Sequence, residues 1–226
     1  MTVHITIKTT ADGSPTLFRE DLNEPYHSLH GAVTESRHVF ISHGWDEIRS
    51  RFDDEIIRLL EVGFGTGLNA ILTAAAAQHS GRRVHYTALE PIPVPKNLVG
   101  ELLFTPSLKE EELYWQETIH GAAWEKPVGL SPFFELTKTT RGIQHFTAEN
   151  NFHLIYFDAF APEKQPDMWT TDVMKTCFEL LIPGGILVTY CAKGSFKRSL
   201  KEVGFAVESR PGPPFKREMT LAVKPA

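Results

Sequence analysis

The 226-residue sequence predicts an α/β chain with a mostly parallel sheet and helices on both of its faces. Strand-like apolar runs recur at residues 56–62, 83–89, 133–138, 153–157 and 186–190. An alanine-rich, helix-like stretch at 68–78 separates the first two, and a turn holding three glycines joins strand to helix there. That alternation is the pattern of β-α-β units, whose ligands lie outside the carboxyl ends of the strands.

The elements follow in order. Apolar residues alternate over 3–8, Ala11-Asp12-Gly13 marks a turn, and Leu17-Phe18 opens a second run, so a small hairpin is expected. Val33, His38, Val39, Phe40 and Ile41 sit at loosely helical spacing, which predicts a short helix over 31–41. Residues 1–50 thus read as an N-terminal extension and 51–226 as one α/β domain. β-branched and aromatic residues suit 83–89 to a sheet. Residues 91–132 read as an insertion or lid, with helical signs at 94–103 and 108–117 and then a loop rich in Gly, Pro and Trp. A helix over 168–181 is expected to stop at Pro183-Gly184-Gly185. Runs at 204–208 and 219–223 flank Pro211-Gly212-Pro213-Pro214, which is too short for a crossover helix, so they should pair antiparallel.

Composition bounds the function. With 42% hydrophobic and 23% charged residues the chain can bury a core, and its length suits a single domain. The net charge of -5 gives no general attraction for nucleic acid, so an RNA partner needs a local basic patch. Cys177 and Cys191 form no C-x-x-C pair and fall in apolar segments, which fits a reduced, cytoplasmic setting. The ten histidines make no H-E-x-x-H and have no cysteine partner at zinc spacing, so no metal site is expected. Residues 1–10 lack a basic-then-apolar leader. No run approaches the roughly 18 apolar residues of a membrane span, so no membrane association is expected.

The chemistry is concentrated in two motifs. In Glu61-Val62-Gly63-Phe64-Gly65-Thr66-Gly67 the glycines allow close approach of backbone to ligand and positive φ values. The dinucleotide fingerprint needs glycine at 68, where Leu68 stands, so the pattern is G-x-G-x-G. Glu61 would repel a pyrophosphate but suits a methionine ammonium. Glu90, followed by Pro91, ends the second strand of this unit, where a carboxylate can accept both ribose hydroxyls. Together with Phe64, Thr66 and Asn69, which can steady the turn, these residues describe a site for S-adenosyl-L-methionine.

In the second motif, 154–157 leads into Asp158-Ala159-Phe160-Ala161-Pro162, placing a carboxylate at a strand end beside the cofactor's expected methyl group. Pro162, Pro166 and Trp169 would stiffen the following loop, and Phe160 and Trp169 would offer aromatic surface to a planar base. An alkyl amine has an unperturbed pKa of roughly 10.4, so methyl transfer to it requires a group that orients the amine and accepts a proton. Asp158 is the candidate.

The turn 61–67, Glu90-Pro91, and above all the run from Asp158 to Thr170 resemble the MnmC/MnmD family of tRNA-modifying enzymes, in its stand-alone methyltransferase form. Tyr26-His27-Ser28, residues 35–40, Pro183-Gly184-Gly185 and residues 216–219 also agree. The resemblance implies a Rossmann-like class I S-adenosylmethionine-dependent methyltransferase. It implies transfer of a methyl group to the aminomethyl group of a wobble 5-aminomethyl-2-thiouridine in tRNA, with a separate flavin-dependent oxidase or other enzyme producing the amine. It makes Asp158 the catalytic carboxylate, and it brings Tyr26 and Glu35 to the cofactor. One departure is Lys138-Thr139-Thr140-Arg141, where many such enzymes carry an acid for the adenine amino group.

For the RNA, residues 193–218 hold seven Lys or Arg against three Glu. Lys193, Lys197, Arg198, Lys216 and Arg217 are the candidate phosphate contacts. Two other readings stay open: methyl or aminopropyl transfer to a small free amine, and an adenosine-ligand-binding module that recognises RNA without chemistry.

Overall fold

The computed structural model describes residues 4–102, 104, 107–148 and 151–226. The expected N-terminal hairpin is β1 (Ile5–Thr9) against β2 (Pro15–Arg19), to which the two-residue β3 (Glu24–Pro25) is added antiparallel. Val3, included in the first expected strand, lies outside the described residues. In the connecting turn Asp12 Oδ1 accepts the Thr10 hydroxyl at 2.7 Å and the Ser14 N–H at 3.0 Å. Its Oδ2 accepts the Thr34 N–H at 2.9 Å, which ties the hairpin to the first helix.

That helix is longer than its sequence pattern indicates. α1 (Ala32–Ser36) runs without a break into a π-helical segment (Arg37–Trp45) and on into α2 (Asp46–Arg51). Phe40 and Trp45 are five positions apart, a spacing that 3.6 residues per turn puts on different faces and the wider π turn brings together. Val39, Phe40, Trp45 and Ile48 are accordingly all buried, in one core with Leu59 and Tyr156 of the sheet. Gly44 lets the segment lie flat on the sheet: a Cβ there would stand 2.7 Å from the Tyr156 ring.

The sheet has eight strands. In chain order the remaining elements are β4 (Ile56–Val62), α3 (Leu68–Ser80), β5 (Arg83–Leu89), α4 (Lys96–Glu101), α5 (Glu110–Gly121), β6 (Pro127–Ser131), β7 (Phe134–Thr139) and β8 (Phe152–Phe157). α6 (Thr171–Leu180), β9 (Leu181–Thr189), α7 (Gly194–Glu202), β10 (Ala206–Pro211) and β11 (Glu218–Val223) complete the chain. The spatial order is β10-β11-β9-β8-β4-β5-β7-β6. The five strands β9, β8, β4, β5 and β7 are parallel, β11 and β6 run antiparallel to them, and β10 pairs antiparallel with β11 at one edge. β4 lies between β5, which follows it, and β8, which returns to its other side. The carboxyl ends of β4 and β8 therefore border the crevice where the winding reverses.

Several boundaries differ from the sequence pattern, each for a local reason. Within the insertion, α4 and α5 form near the expected helical stretches, although Leu103 lies outside the described residues. The Gly- and Trp-rich loop that follows contributes β6, a strand hydrogen-bonded to β7 with a register shift between Gly129 and Ser131. Residues 166–169 form a 3-10 turn, and α6 starts only at Thr171, where the Thr170 hydroxyl accepts the Val173 N–H. The expected stop at Pro183-Gly184-Gly185 lies inside β9 instead. Leu181 is already extended and paired with Phe152, and the three residues absorb the register shift before Ile186 pairs with Leu154. Gly184 has φ +79, and a Cβ on Gly185 would meet the Ile182 and His153 carbonyls at 2.9 and 3.0 Å.

Among the described residues no helix is long and apolar enough to cross a membrane, and no cluster of three or more His, Cys, Asp or Glu could hold a metal ion. Trp45 is 1% exposed at the seam between helix and sheet. Trp45→Ala should lower the unfolding free energy by about 3–5 kcal/mol, measured by urea denaturation.

Candidate active site

A cleft opens at the reversal of winding. Its floor is the turn between β4 and α3, with Gly63, Phe64, Gly65 and Thr66. Glu90 and Pro91 follow β5 on one side, Asp158 and Phe160 follow β8 on the other, and Tyr26 covers it from the N-terminal segment. Gly63, Gly65 and Gly67 all have positive φ, at +93, +49 and +75. At Gly63 space is as decisive as conformation, because a Cβ would stand 2.5 Å from the Asp158 carbonyl oxygen. The two strand ends are stitched at this point: the Asp158 N–H donates to Val62 O at 2.9 Å, and the Gly63 N–H to Leu89 O at 3.0 Å.

The carboxylates differ in setting. Glu90 accepts the Gly65 N–H at 2.9 Å and the Ile92 N–H at 3.1 Å, so it braces the turn while lining the cleft. Burial raises its pKa and these two N–H groups oppose the rise. Asp158 accepts the Asn69 side-chain amide at 2.9 Å. Burial pushes Asp158 up to about 7 against that hydrogen bond, with Glu35 adding to the rise and Lys216 opposing it. A carboxyl group with that proton affinity, at the wall of a cleft, can hold or release a proton near neutral pH.

The structure distributes the sequence-predicted residues unevenly. Tyr26, Gly63, Phe64, Gly65, Thr66, Asn69, Glu90, Pro91, Asp158 and Phe160 line the cleft together; Gly67 caps α3 just behind them. Glu61 does not line it. The Asn69 amide stands between, donating to Glu61 Oε1 at 3.0 Å, and Glu61 is fully buried. A methionine ammonium in the cleft would meet Asn69 and Asp158 before Glu61. Glu35 also stands away from the cleft lining. Its Oε1 accepts the Ser28 N–H at 3.2 Å and its Oε2 pairs with Lys216, whose Nζ lies 4.5 Å over the Tyr190 ring.

Trp169 requires a correction. It is 7% exposed, packed among Phe157, Tyr190 and Phe196, and its indole N–H donates to Phe160 O at 2.8 Å. It holds the loop after Asp158 from inside and offers no stacking face, whereas Phe160, edge-on to Tyr26 at 5.0 Å, remains in the cleft wall. Pro162, Lys193, Lys216 and Arg217 line a second, shallow groove on the outer side of the same loop, together with Tyr190. Of the five candidate cations, three are already paired: Lys193 with Glu163, Lys197 with Glu218 at 2.9 Å, and Lys216 with Glu35. Arg198 and Arg217 are exposed and have no ion-pair partner among the described residues.

Some residues at or beside the cleft are not marked as site residues by the sequence. His27 stands with Nδ1 3.0 Å from the Thr16 hydroxyl and Nε2 3.3 Å from the Thr66 hydroxyl. Burial pushes its pKa down to about 4, which keeps the ring neutral. Tyr190 donates its hydroxyl to Ala159 O at 2.8 Å. Gly142, Ile143 and Met168 close the far end of the cleft, where the sequence lacked the expected acid. The nearest acid there is Glu125, at φ +61, whose carboxylate is taken up by the Thr139 hydroxyl and by the Thr140 N–H and hydroxyl at 2.7–2.8 Å. It faces solvent and serves the turn.

The fold is that of the class I S-adenosylmethionine-dependent methyltransferases: a parallel sheet, a glycine turn after its central strand, and an antiparallel strand at the end. Residues 136–225 match the family model described as S-adenosyl-L-methionine-dependent methyltransferase. Among solved structures, MNMC2 from Aquifex aeolicus superimposes with a TM-score of 0.82. It is 24% identical over 100% of this chain and 71% of its own. DesVI from Streptomyces venezuelae gives 0.49 at 16% identity over 86% of this chain and 92% of its own.

The cleft fits S-adenosylmethionine on its own chemistry. The three glycines leave a cradle that side chains would fill, the Glu90 carboxylate stands in the cleft wall, and the Asn69 Oδ1 has no hydrogen-bond partner among the described residues. Gly63→Ala should reduce S-adenosylhomocysteine affinity at least about tenfold in calorimetry, because backbone strain and the clash with Asp158 both act on the cleft floor. Asp158 gains proton affinity on folding, from 3.8 to about 7. Stability tied to it is therefore full below the lower value and lost as pH rises through the higher. Asp158→Asn should then be more stable than the unaltered protein at pH 8, with the gap shrinking toward pH 4 in denaturation curves.

Proposed function

We propose that the protein transfers a methyl group from S-adenosylmethionine to a primary alkyl amine, the 5-aminomethyl group of a wobble 2-thiouridine in tRNA. The observation that carries this is the place of Asp158. It stands at the inner wall of the cleft, and the loop that follows it separates the cleft from the groove lined by Tyr190, Lys193, Lys216 and Arg217. The resemblance of residues 158–170 to the MnmC/MnmD family supports the tRNA acceptor.

The cofactor supplies an electrophilic methyl group on a sulfonium. The chain supplies position and a proton acceptor. Tyr26, Phe160 and the glycine turn enclose the cleft and exclude water from the reacting pair. Methylation of the neutral amine would leave its nitrogen with one proton in excess, the sulfonium departing as a neutral thioether. Asp158 accepts that proton, and its high proton affinity for a carboxyl group suits it to the task. Near-attack placement of amine and methyl contributes the larger share of the rate. The amine itself comes from a separate enzyme, such as a flavin-dependent oxidase.

RNA would approach over the groove and α7, where Arg198 and Arg217 carry free charge in a chain of net charge -5. The patch is small, so binding should depend on few phosphates. Arg217→Ala should weaken tRNA binding and lower the slope of log affinity against log salt by about one, in filter binding across salt concentrations.

The reaction is tested with labelled S-adenosylmethionine and tRNA bearing or lacking the aminomethyl group, followed by nucleoside analysis. Label should appear only on the aminomethyl-bearing tRNA, and Asp158→Ala should lower the turnover at least about a hundredfold. Near-normal turnover by that variant, or label on free polyamines and not on tRNA, would refute the reading.

A further inference from the structure

Two buried carboxyl groups share one amide. Asn69 Nδ2 donates to Glu61 Oε1 at 3.0 Å and to Asp158 Oδ2 at 2.9 Å, which puts the two carboxyl groups within about 6 Å of each other, close enough for like charges to exclude one another. The surroundings do not offset two negative charges. Asp158, Glu90, Tyr86, Tyr156 and Asn69 stand about Glu61; Glu35, Lys216 and Tyr190 stand about Asp158. The one cation among these, Lys216, is already paired with Glu35. Depth then separates the two acids: Asp158 lines the cleft, and Glu61 is fully buried behind Asn69.

The unpaired atoms point the same way. Glu61 Oε2 and the neighbouring Tyr86 hydroxyl are without a well-formed hydrogen bond among the described residues. An ionised carboxylate there would have only the Asn69 amide and the Tyr86 hydroxyl as donors and no cation, too little to offset a fully buried charge, whereas a carboxylic acid is satisfied by the same amide and by donating its hydroxyl to the Tyr86 oxygen.

We propose that Glu61 is a neutral carboxylic acid at neutral pH and a positioning residue, holding the Asn69 amide so that Asp158 is the one member of the pair that carries negative charge at the cleft. This inference rests on the cleft being the cofactor site with Asp158 as proton acceptor. Burial, and next the Asp158 carboxylate, push the Glu61 pKa well above the usual range, against the Tyr86 hydroxyl and the Asn69 amide. The acid ahead of the glycine turn thereby acts through Asn69, without touching the ligand.

Infrared difference spectroscopy at neutral pH on the protein with S-adenosylhomocysteine tests this without any acceptor, so its outcome is independent of the amine reading. In spectra recorded also at pH 8, where Asp158, at about 7, is mostly ionised, a protonated-carboxyl C=O band is expected that is lost in Glu61→Gln and kept in Asp158→Asn. No such band, or a band lost only in Asp158→Asn, overturns the proposal. Calorimetry supplies a second arm: Glu61→Leu should weaken S-adenosylhomocysteine binding and Glu61→Gln should restore it to within about twofold, since a neutral amide replaces a neutral acid. A loss of about tenfold or more in Glu61→Gln shows that the charge is needed and overturns the proposal.

Discussion

The site depends on the contact between two pieces of backbone, Gly63 after β4 and Asp158 after β8. Their strands are parallel neighbours, and the Asp158 N–H closes the gap by donating to Val62 O. Because nothing larger than a hydrogen fits on Gly63 beneath the Asp158 carbonyl, the cradle and the carboxylate are held at one separation. Glu90 adds the third strand end through the Gly65 N–H. The glycine turn, Glu90 and Asp158 are therefore held in one arrangement by the sheet.

Around that centre the protein places side chains that act on other side chains. Trp169 holds the Phe160 carbonyl, Tyr190 holds the Ala159 carbonyl, and Asn69 holds Asp158. None of the three needs to touch an acceptor to matter. These three polar groups of the loop are thus held by side chains anchored in the core, which fixes the loop between the cleft and the outer groove.

Much of this was legible in the sequence where one element meets one physical demand. The runs 56–62 and 83–89 coincide with β4 and β5: most of β4 is buried, and in β5 the buried Val84, Tyr86 and Ala88 alternate with the more exposed Arg83, His85 and Thr87, the period of a strand. The glycine turn and the acid after β5 were equally plain. What escaped depends on partners far away in the chain. Phe40 and Trp45 are consistent only with a π turn, and β6 exists because β7 offers it an edge. Trp169 looked like a platform because its burial by Phe157 and Phe196 has no local signature. Glu61 reads as a ligand group from its place before the turn; that Asn69 intervenes is a matter of three dimensions.

The link from Glu35 through Lys216 and Tyr190 to Ala159 joins residues 181 positions apart at its widest step. During synthesis the strands β4, β5 and β8 can pair while the last part of the chain is still inside the ribosome, but this link cannot form until Lys216 has emerged. The cleft can therefore assemble before the outer face of the loop after Asp158 is complete.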